Sequence, residues 1–355
     1  MRGKRHFQNI IMLAAISAAL CGCGAIGAGN KTASGMNYLE SMDYENALPC
    51  FDAAISEGED ARQSYRGLGI CYLDMGEYEK AVSAFKTALS ASNGLVNSMD
   101  YDMNYYLAES YMKLEDYADA ISTYNAILNL KPGEIDALYL RGTAELKNGD
   151  IDSAKADFDK VISLSPKDYD RLILIYQALA DNGYADDGSA ILQNVMDSGT
   201  DSMSNYEKGQ ISFYLGNNAD AQNYLEQARN ERGNVDKTPI IILLGQTGEK
   251  QGDYNYAISV YRSYLVDNPN HADIYNRLGI CEMESGDYTS AVADFESGIA
   301  LEDSTITQTL LKNEITAYEY SGDFEKAASL ADDYLSKYPD DQEMVREKRF
   351  LSTRI

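Results

Sequence analysis

Residues 65–90 read YRGLGICYLDMGEYEKAVSAFKTALS. Two apolar stretches, Tyr65–Tyr72 and Ala81–Ala88, flank the tripeptide Gly76-Glu77-Tyr78. A glycine free to take positive φ can end a first helix, and an acidic residue after it can accept backbone donors at the start of a second. The stretch therefore predicts two antiparallel helices joined by a tight turn.

Moving outward from this stretch, the same arrangement recurs. An acidic residue followed by an aromatic appears at Asp43-Tyr44, Glu77-Tyr78, Asp116-Tyr117, Asp253-Tyr254, Asp287-Tyr288 and Asp323-Phe324. An alanine follows three residues after each aromatic, at Ala47, Ala81, Ala120, Ala257, Ala291 and Ala327. Four residues later stand Phe51, Phe85, Tyr124, Tyr261 and Phe295, with Ala331 in the last case. The period is 34 residues, or 34 with a small insertion. Gly76, Gly149, Gly252, Gly286 and Gly322 mark ends of first helices. Pro132, Pro166, Pro269 and Pro339 fall where second helices should stop. A single helix pair cannot bury its own apolar face, so stacking of successive pairs is required.

These residues resemble the tetratricopeptide repeat. In that family small residues occupy positions 8, 20 and 27 and aromatics positions 11 and 24 of each repeat, with proline common at position 32. Nine repeats align at 28–61, 62–95, 101–134, 135–168, 169–202, 202–235, 238–271, 272–305 and 308–341. Repeats 5 and 6 match least well, with Gly188 and Leu192 in one and Asn218, Ala221, Leu225 and Ala228 in the other. The resemblance implies an all-α, right-handed α-solenoid of about nine helix-turn-helix units. Small residues at positions 8 and 20 would let the A and B helices of a repeat approach, and the aromatic at 24 would fill the gap to the neighbouring repeat. The repeat array is expected over 35–341, followed by a solvating helix over 342–355 whose cations suit a helix C-terminus.

The N-terminus carries a different signal. Arg2, Lys4 and Arg5 precede the apolar run Ile10–Leu20, which is the pattern of an export signal and too short to span a membrane stably. The run ends Leu20-Cys21-Gly22-Cys23. This resembles the bacterial lipobox, with Leu20 three places before Cys23 and Gly22 just before it; Cys21 at the second lipobox position is a departure. The resemblance implies a signal peptide over 1–22, lipidation of Cys23, and a flexible leash over 23–34. Loss of residues 1–22, with three basic residues and no acid, leaves 333 residues and changes the formal charge from −26 to −29. The expected location is the cell membrane, lipid-anchored and facing the extracytoplasmic side.

Composition excludes several classes of function. With 56 acidic against 30 basic residues, the chain repels phosphate backbones, so nucleic acid is not an expected partner. Only His6 and His271 are present, which rules out a multi-histidine metal site, and His271 reads as a loop residue with no nucleophile marked beside it. Asp186-Asp187-Gly188 lacks the alternating ligands of a calcium loop and reads as solvated loop acids. Cys50, Cys71 and Cys281 read either as small buried apolar residues or, for Cys50 and Cys71 on facing helices, as a disulfide pair. No cofactor, metal or small-molecule substrate is expected, and no enzymatic activity.

Sixteen of the 28 tyrosines fall at framework positions, which leaves twelve for function to explain. Three of these, Tyr105, Tyr139 and Tyr206, share position 5. In the resembled family, helix A lines a concave groove through positions 2, 5, 9, 12 and 13. That implies a partner-binding surface of Arg66, Tyr105, Glu109, Tyr139, Thr143, Gln177, Tyr206, Gln210, Gln246, Asn276 and Lys312. The clamp of Lys at position 5 and Asn at position 9, by which some family members hold a C-terminal carboxylate, is matched by no repeat. The expected function is a lipid-anchored scaffold binding a protein or peptide in its groove. A structural subunit of an envelope assembly machine, of the outer-membrane-protein or pilus-secretin type, is the alternative.

Overall fold

A computed structural model describes residues 30–92, 94–198, 202–233 and 236–355. The signal segment and Cys23 lie outside the described residues. Nineteen helices and no strand are present among those residues, and they fall into two compact units that divide between Leu164 and Ser165.

The N-terminal unit contains α1 (Lys31–Glu40), α2 (Tyr44–Ser56), α3 (Ala61–Asp74), α4 (Tyr78–Ser90), α5 (Ser98–Lys113), α6 (Tyr117–Leu130), α7 (Ile135–Lys147) and α8 (Ile151–Leu164). The C-terminal unit contains α9 (Tyr169–Asp181), α10 (Ala185–Asp197), α11 (Asn205–Tyr214), α12 (Asn218–Asn230), α13 (Thr238–Gln251), α14 (Tyr254–Asp267), α15 (Ala272–Glu284), α16 (Tyr288–Ile299), α17 (Thr307–Ser321), α18 (Phe324–Lys337) and α19 (Gln342–Leu351). Odd-numbered helices from α1 to α17 are the A helices of repeats 1 to 9, and the even-numbered ones are the B helices. Within each unit every helix packs on its sequence neighbours, and several A helices also touch the next A helix.

The turn between A and B is built the same way nine times. Position 15 has positive φ in all repeats, filled by glycine seven times (Gly76, Gly149, Gly183, Gly216, Gly252, Gly286 and Gly322) and by Met42 and Glu115 in repeats 1 and 3. Glycine meets this geometry without a Cβ clash, whereas a side chain there is strained by about 1–2 kcal/mol. In six repeats the next residue caps the B helix. The carboxylates of Asp43, Asp116, Asp150, Asp253, Asp287 and Asp323 each accept from the backbone N–H three residues on. Glu77, Tyr184 and Asn217 stand at the same place without a capping side-chain bond.

The core is a row of rings set against glycines. The Phe51 ring, fully buried on α2, stands against Gly35 on α1 and Gly67 on α3; a Cβ on those glycines would come within 2.6 and 2.3 Å of it. Phe85 lies on Gly69, Phe158 on Gly142, Tyr261 on Gly245 and Phe295 on Gly279. The aromatic at position 24 thus fills the space that the missing side chain at position 8 leaves, and Phe51 also meets the next A helix.

Helix α1 starts at Lys31, so residues 31–34 are helical where the sequence suggested leash. The reason lies 28 residues away. The Glu59 carboxylate accepts from the backbone N–H groups of Lys31 and Thr32, both at 2.9 Å, and Asn30 caps the helix through Ala33 N–H. At the other end α19 is capped by Asp341 and buries Met344 and Leu351, while Arg346, Arg349 and Arg354 stay exposed. Asp186 and Asp187, expected in a loop, form the first turn of α10, where acids suit the helix dipole.

Candidate functional site

The A helices carry the residues singled out in the sequence, and their side chains mostly reach one repeat along the chain. In the N-terminal unit the Arg66 guanidinium on α3 donates to Asp102 on α5, with Nε to Oδ2 at 2.5 Å, and lies over the Tyr106 ring 5.8 Å from its centroid. Tyr106 in turn stacks on Phe85, with centroids 5.6 Å apart and planes 8° from parallel. Arg62, one turn earlier, pairs with Asp100, whose carboxylate also closes a capping box with Asn97 at the start of α5. Tyr105 is half-buried, its ring tilted on Tyr124 at 6.4 Å. Glu109 is half-buried beside it, and desolvation, reinforced by Asp74, pushes its carboxyl up.

The C-terminal unit repeats this design with other chemistry. Gln177 on α9 donates to the Tyr214 hydroxyl on α11 at 2.8 Å, and Gln210 on α11 donates back to Asp170 on α9 at 3.3 Å. Tyr206 is half-buried between them, and burial together with Asp170 pushes its hydroxyl up to about 12. Gln246, with its amide oriented by the surrounding donors, accepts from both terminal nitrogens of Arg277 at 2.8 and 3.0 Å. Asn276 accepts from Asn313 at 2.7 Å. Lys312 on α17 reaches Asp341, the N-cap of α19, at 2.7 Å and Glu343 in its first turn at 3.2 Å.

One of the expected surface residues does not face outward. Tyr139 is buried, 6% exposed, with its ring 6.2 Å from that of Phe158. Gly142 leaves Phe158 standing against α7, and Tyr139, one turn earlier, closes over the same ring. Thr143 spends its hydroxyl on the Tyr139 carbonyl at 3.0 Å. The ten other than Tyr139 are half-buried. The sequence reading missed their partners Asp102, Asp170, Tyr214, Arg277, Asn313 and Asp341. Each lies about one repeat from the residue it bonds, so pairing polar residues across the 34-residue period would have found several of them.

The reactive residue types sit in unreactive settings. Cys71 and Cys281 are buried free thiols and Cys50 a half-buried one. Burial, with Asp74 and Glu249 as the respective neighbours, pushes the Cys71 and Cys281 thiols up to about 12, where little thiolate forms at neutral pH. His271 precedes α15 with its ring against Tyr264 at 5.5 Å, half-buried and not merely solvated. Among the described residues no group of three or more His, Cys, Asp or Glu could hold a metal ion. No described helix is long and apolar enough to cross a membrane.

Stacked helix hairpins with a glycine turn, an Asp cap and a ring on glycine define a helical-repeat scaffold. The sequence profile described as Tetratricopeptide repeat matches residues 32–96, 72–135, 105–169 and 242–302, together more than half of the chain, and the chain belongs to that family. Similar solved structures include a tetratricopeptide repeat protein from Parabacteroides merdae, with 17% identity and a TM-score of 0.46, covering 80% of this chain and 97% of that one. PilW, described as a type IV pilus biogenesis factor, shares 16% identity at a TM-score of 0.42, covering 71% of this chain and 99% of its own. YrrB, described as having an unusual peptide-binding site, shares 23% identity at a TM-score of 0.39, with 50% and 89% covered. No curated protein matches the chain.

Proposed function

We propose that the chain is a lipid-anchored, extracytoplasmic scaffold that holds a protein or peptide segment against the face of its A helices, without catalysis. Family membership supplies the coarse part, since such repeats are protein-interaction scaffolds. The observation that carries the finer part is the set of side-chain bonds between neighbouring A helices. Arg66, Gln177, Gln210, Gln246, Asn276 and Lys312 are each held by a residue one repeat away and each remain partly exposed. A surface fixed in this way loses little side-chain entropy when a partner docks. The anchor rests on Leu20-Cys21-Gly22-Cys23 and on the stability that paired acyl chains give.

The test uses the full chain in membranes. A photo-crosslinking residue at Tyr105 or Gln210 should capture a defined partner, and the same residue at outward Glu79 or Asp159 should not. Equal capture from both faces would overturn the assignment to the A helices. A stable stoichiometric membrane complex gripping the B helices would favour an envelope assembly subunit instead. Cys23→Ala should move the protein from the membrane to the soluble fraction; continued membrane partitioning would sink the anchor.

A further inference from the structure

Two of the nine repeats share a feature that the scaffold role does not use. Position 11 is glutamate only in repeats 4 and 8, as Glu145 and Glu282, and position 23 is aspartate only in the same two, as Asp157 and Asp294. Elsewhere position 11 is tyrosine, leucine, serine or glycine. Glu145 and Asp157 are buried, 8% and 5% exposed, and Glu282 is 1% exposed. Carboxylates are almost never buried to this degree unless paired.

Each pair has a single arginine, delivered by a different route. In repeat 4 Arg141 comes from the same helix as Glu145. It makes a two-pronged bond to Asp157 at 2.5 and 2.7 Å and donates to Asn125 on α6, leaving Glu145 at 3.7 Å. In repeat 8 the arginine comes from the preceding B helix, and Arg262 on α14 pairs with Oε1 of Glu282. In both repeats Oε2 of the glutamate is buried with no hydrogen-bond partner. One guanidinium faces two carboxyl groups, so one negative charge in each pair is left uncompensated.

A proton removes the surplus charge in each pair, and in repeat 8 it also lets Glu282 donate to the carboxylate of Asp294, which lies within hydrogen-bonding reach. We propose that each Glu–Asp pair retains one proton in the folded chain and that this proton fastens its helix hairpin, so that repeats 4 and 8 loosen as the pH rises. The surrounding groups agree. Burial, then Asp157, push Glu145 up to about 7 against the pull of Arg141, with Asp150 adding to the rise. Burial, then Asp294 on α16, push Glu282 up to about 8 against the pull of Arg262 on α14. The buried acid of α17, Glu314, faces Glu296 and Lys326 instead.

The sign follows from proton counting. Between the ordinary glutamate value of about 4.5 and its raised value, the folded hairpin holds a proton that the opened hairpin releases. Stability therefore falls with rising pH across that window and levels above it. In the full chain, the opening equilibrium of α15 and α16, read by amide hydrogen exchange corrected for intrinsic rates, should rise by nearly tenfold per pH unit from about pH 5 to about pH 8 and then level. For α7 and α8 the rise should end near pH 7. Glu282→Gln, which fixes the neutral form, should abolish the slope in α15 and α16 and leave that of α7 and α8 intact. A slope unchanged in Glu282→Gln would overturn the lock.

The proton itself is read by infrared spectroscopy of the full chain. The wild type should show a protonated-carboxyl carbonyl band at pH 6 that disappears by pH 10, with Glu145→Gln and Glu282→Gln each removing about half. Absence of the band, or undiminished intensity in both variants, would overturn the proposal. If Glu282→Gln fails to fold, Asp294→Asn should shrink the band by lowering Glu282 toward its ordinary value, and an unaltered band would count against the pair.

Discussion

Repeats 2 and 8 and repeats 5 and 6 build the same hairpin from different parts. In repeats 2 and 8 a glycine on the A helix receives a phenylalanine from the B helix, Gly69 with Phe85 and Gly279 with Phe295. In repeat 5 the small residue moves to the B helix. Tyr176 occupies position 8 and Leu192 position 24, while Gly188 stands at position 20, where the other repeats have alanine, so α10 approaches the backbone of α9 directly, with a Cβ on Gly188 only 3.1 Å from the Tyr176 carbonyl oxygen. Repeat 6 keeps Gly209 but sets Leu225 on it in place of a ring. The family profile skips this region, matching up to residue 169 and again from 242. Yet Gly183 and Gly216 keep the left-handed turn, while Tyr184 and Asn217 provide no cap. The hairpin thus tolerates loss of the cap and of the ring. What persists is the turn conformation and one small residue facing one large one, consistent with cores that accept volume-conserving exchange.

The largest expected break in this comparison is at the ring. Phe51→Ala should cost about 3–5 kcal/mol, because the side chain is fully buried between two A helices and the void cannot collapse onto helices held apart elsewhere. Leu225→Ala in repeat 6 should cost about 2–5 kcal/mol at an equally buried site. Repeat arrays need not melt in one step, so both are best read as lost amide protection in the helices flanking the substitution. Equal protection loss from an exposed control such as Lys160→Ala would show that local packing is not the cause.

A smaller effect separates the two ways of making room. Gly245→Ala would place a Cβ 1.9 Å from the Tyr261 ring, and that ring is anchored by its hydroxyl to Glu249 at 2.6 Å. Gly188→Ala would press on backbone atoms of α9 at 3.1 Å. Overpacking of this kind costs about 1–3 kcal/mol, offset by about 1 kcal/mol of helix propensity. We expect Gly245→Ala to destabilise more, since the clash is deeper and displaces a bonded ring. The reverse order in chemical denaturation monitored at each hairpin would mean that backbone contact, not ring placement, limits the approach.

The sequence made the local devices legible and hid those that act between repeats. Gly76, Asp287 and Phe85 announce turn, cap and core because each acts on residues within a few positions of itself. The helix hairpins followed from that, including those of repeats 5 and 6. The A-helix face was only half legible. Position 5 identified Tyr105 and Tyr206 as partly exposed side chains, but not that Tyr139 would turn inward onto Phe158. Nor did it show that Arg66 would be committed to Asp102. Arg66 is settled by a neighbour 36 residues away in the next repeat, and Tyr139 by the ring that the B helix of its own repeat brings to it. The early start of α1 was hidden for the same reason, since the carboxylate that receives Lys31 and Thr32 belongs to Glu59.

The smallest predicted effects concern the turn, the element that every repeat keeps. Met42 and Glu115 hold φ of 58° and 61° at the place where seven repeats have glycine. Left-handed backbone costs a residue with a Cβ about 1–2 kcal/mol, and glycine gives part of that back through its freer unfolded chain. Met42→Gly and Glu115→Gly should therefore each stabilise their hairpins by about 0.5–1 kcal/mol. Gly183→Ala in repeat 5 should destabilise by a similar amount, although nothing lies within 4 Å of its Cβ position. Because space is open there, any loss must come from the backbone alone. If Gly183→Ala were neutral while Met42→Gly stabilised, the left-handed turn would not be the common requirement, and repeat 5 would be held by the contact between Tyr176 and Gly188 instead.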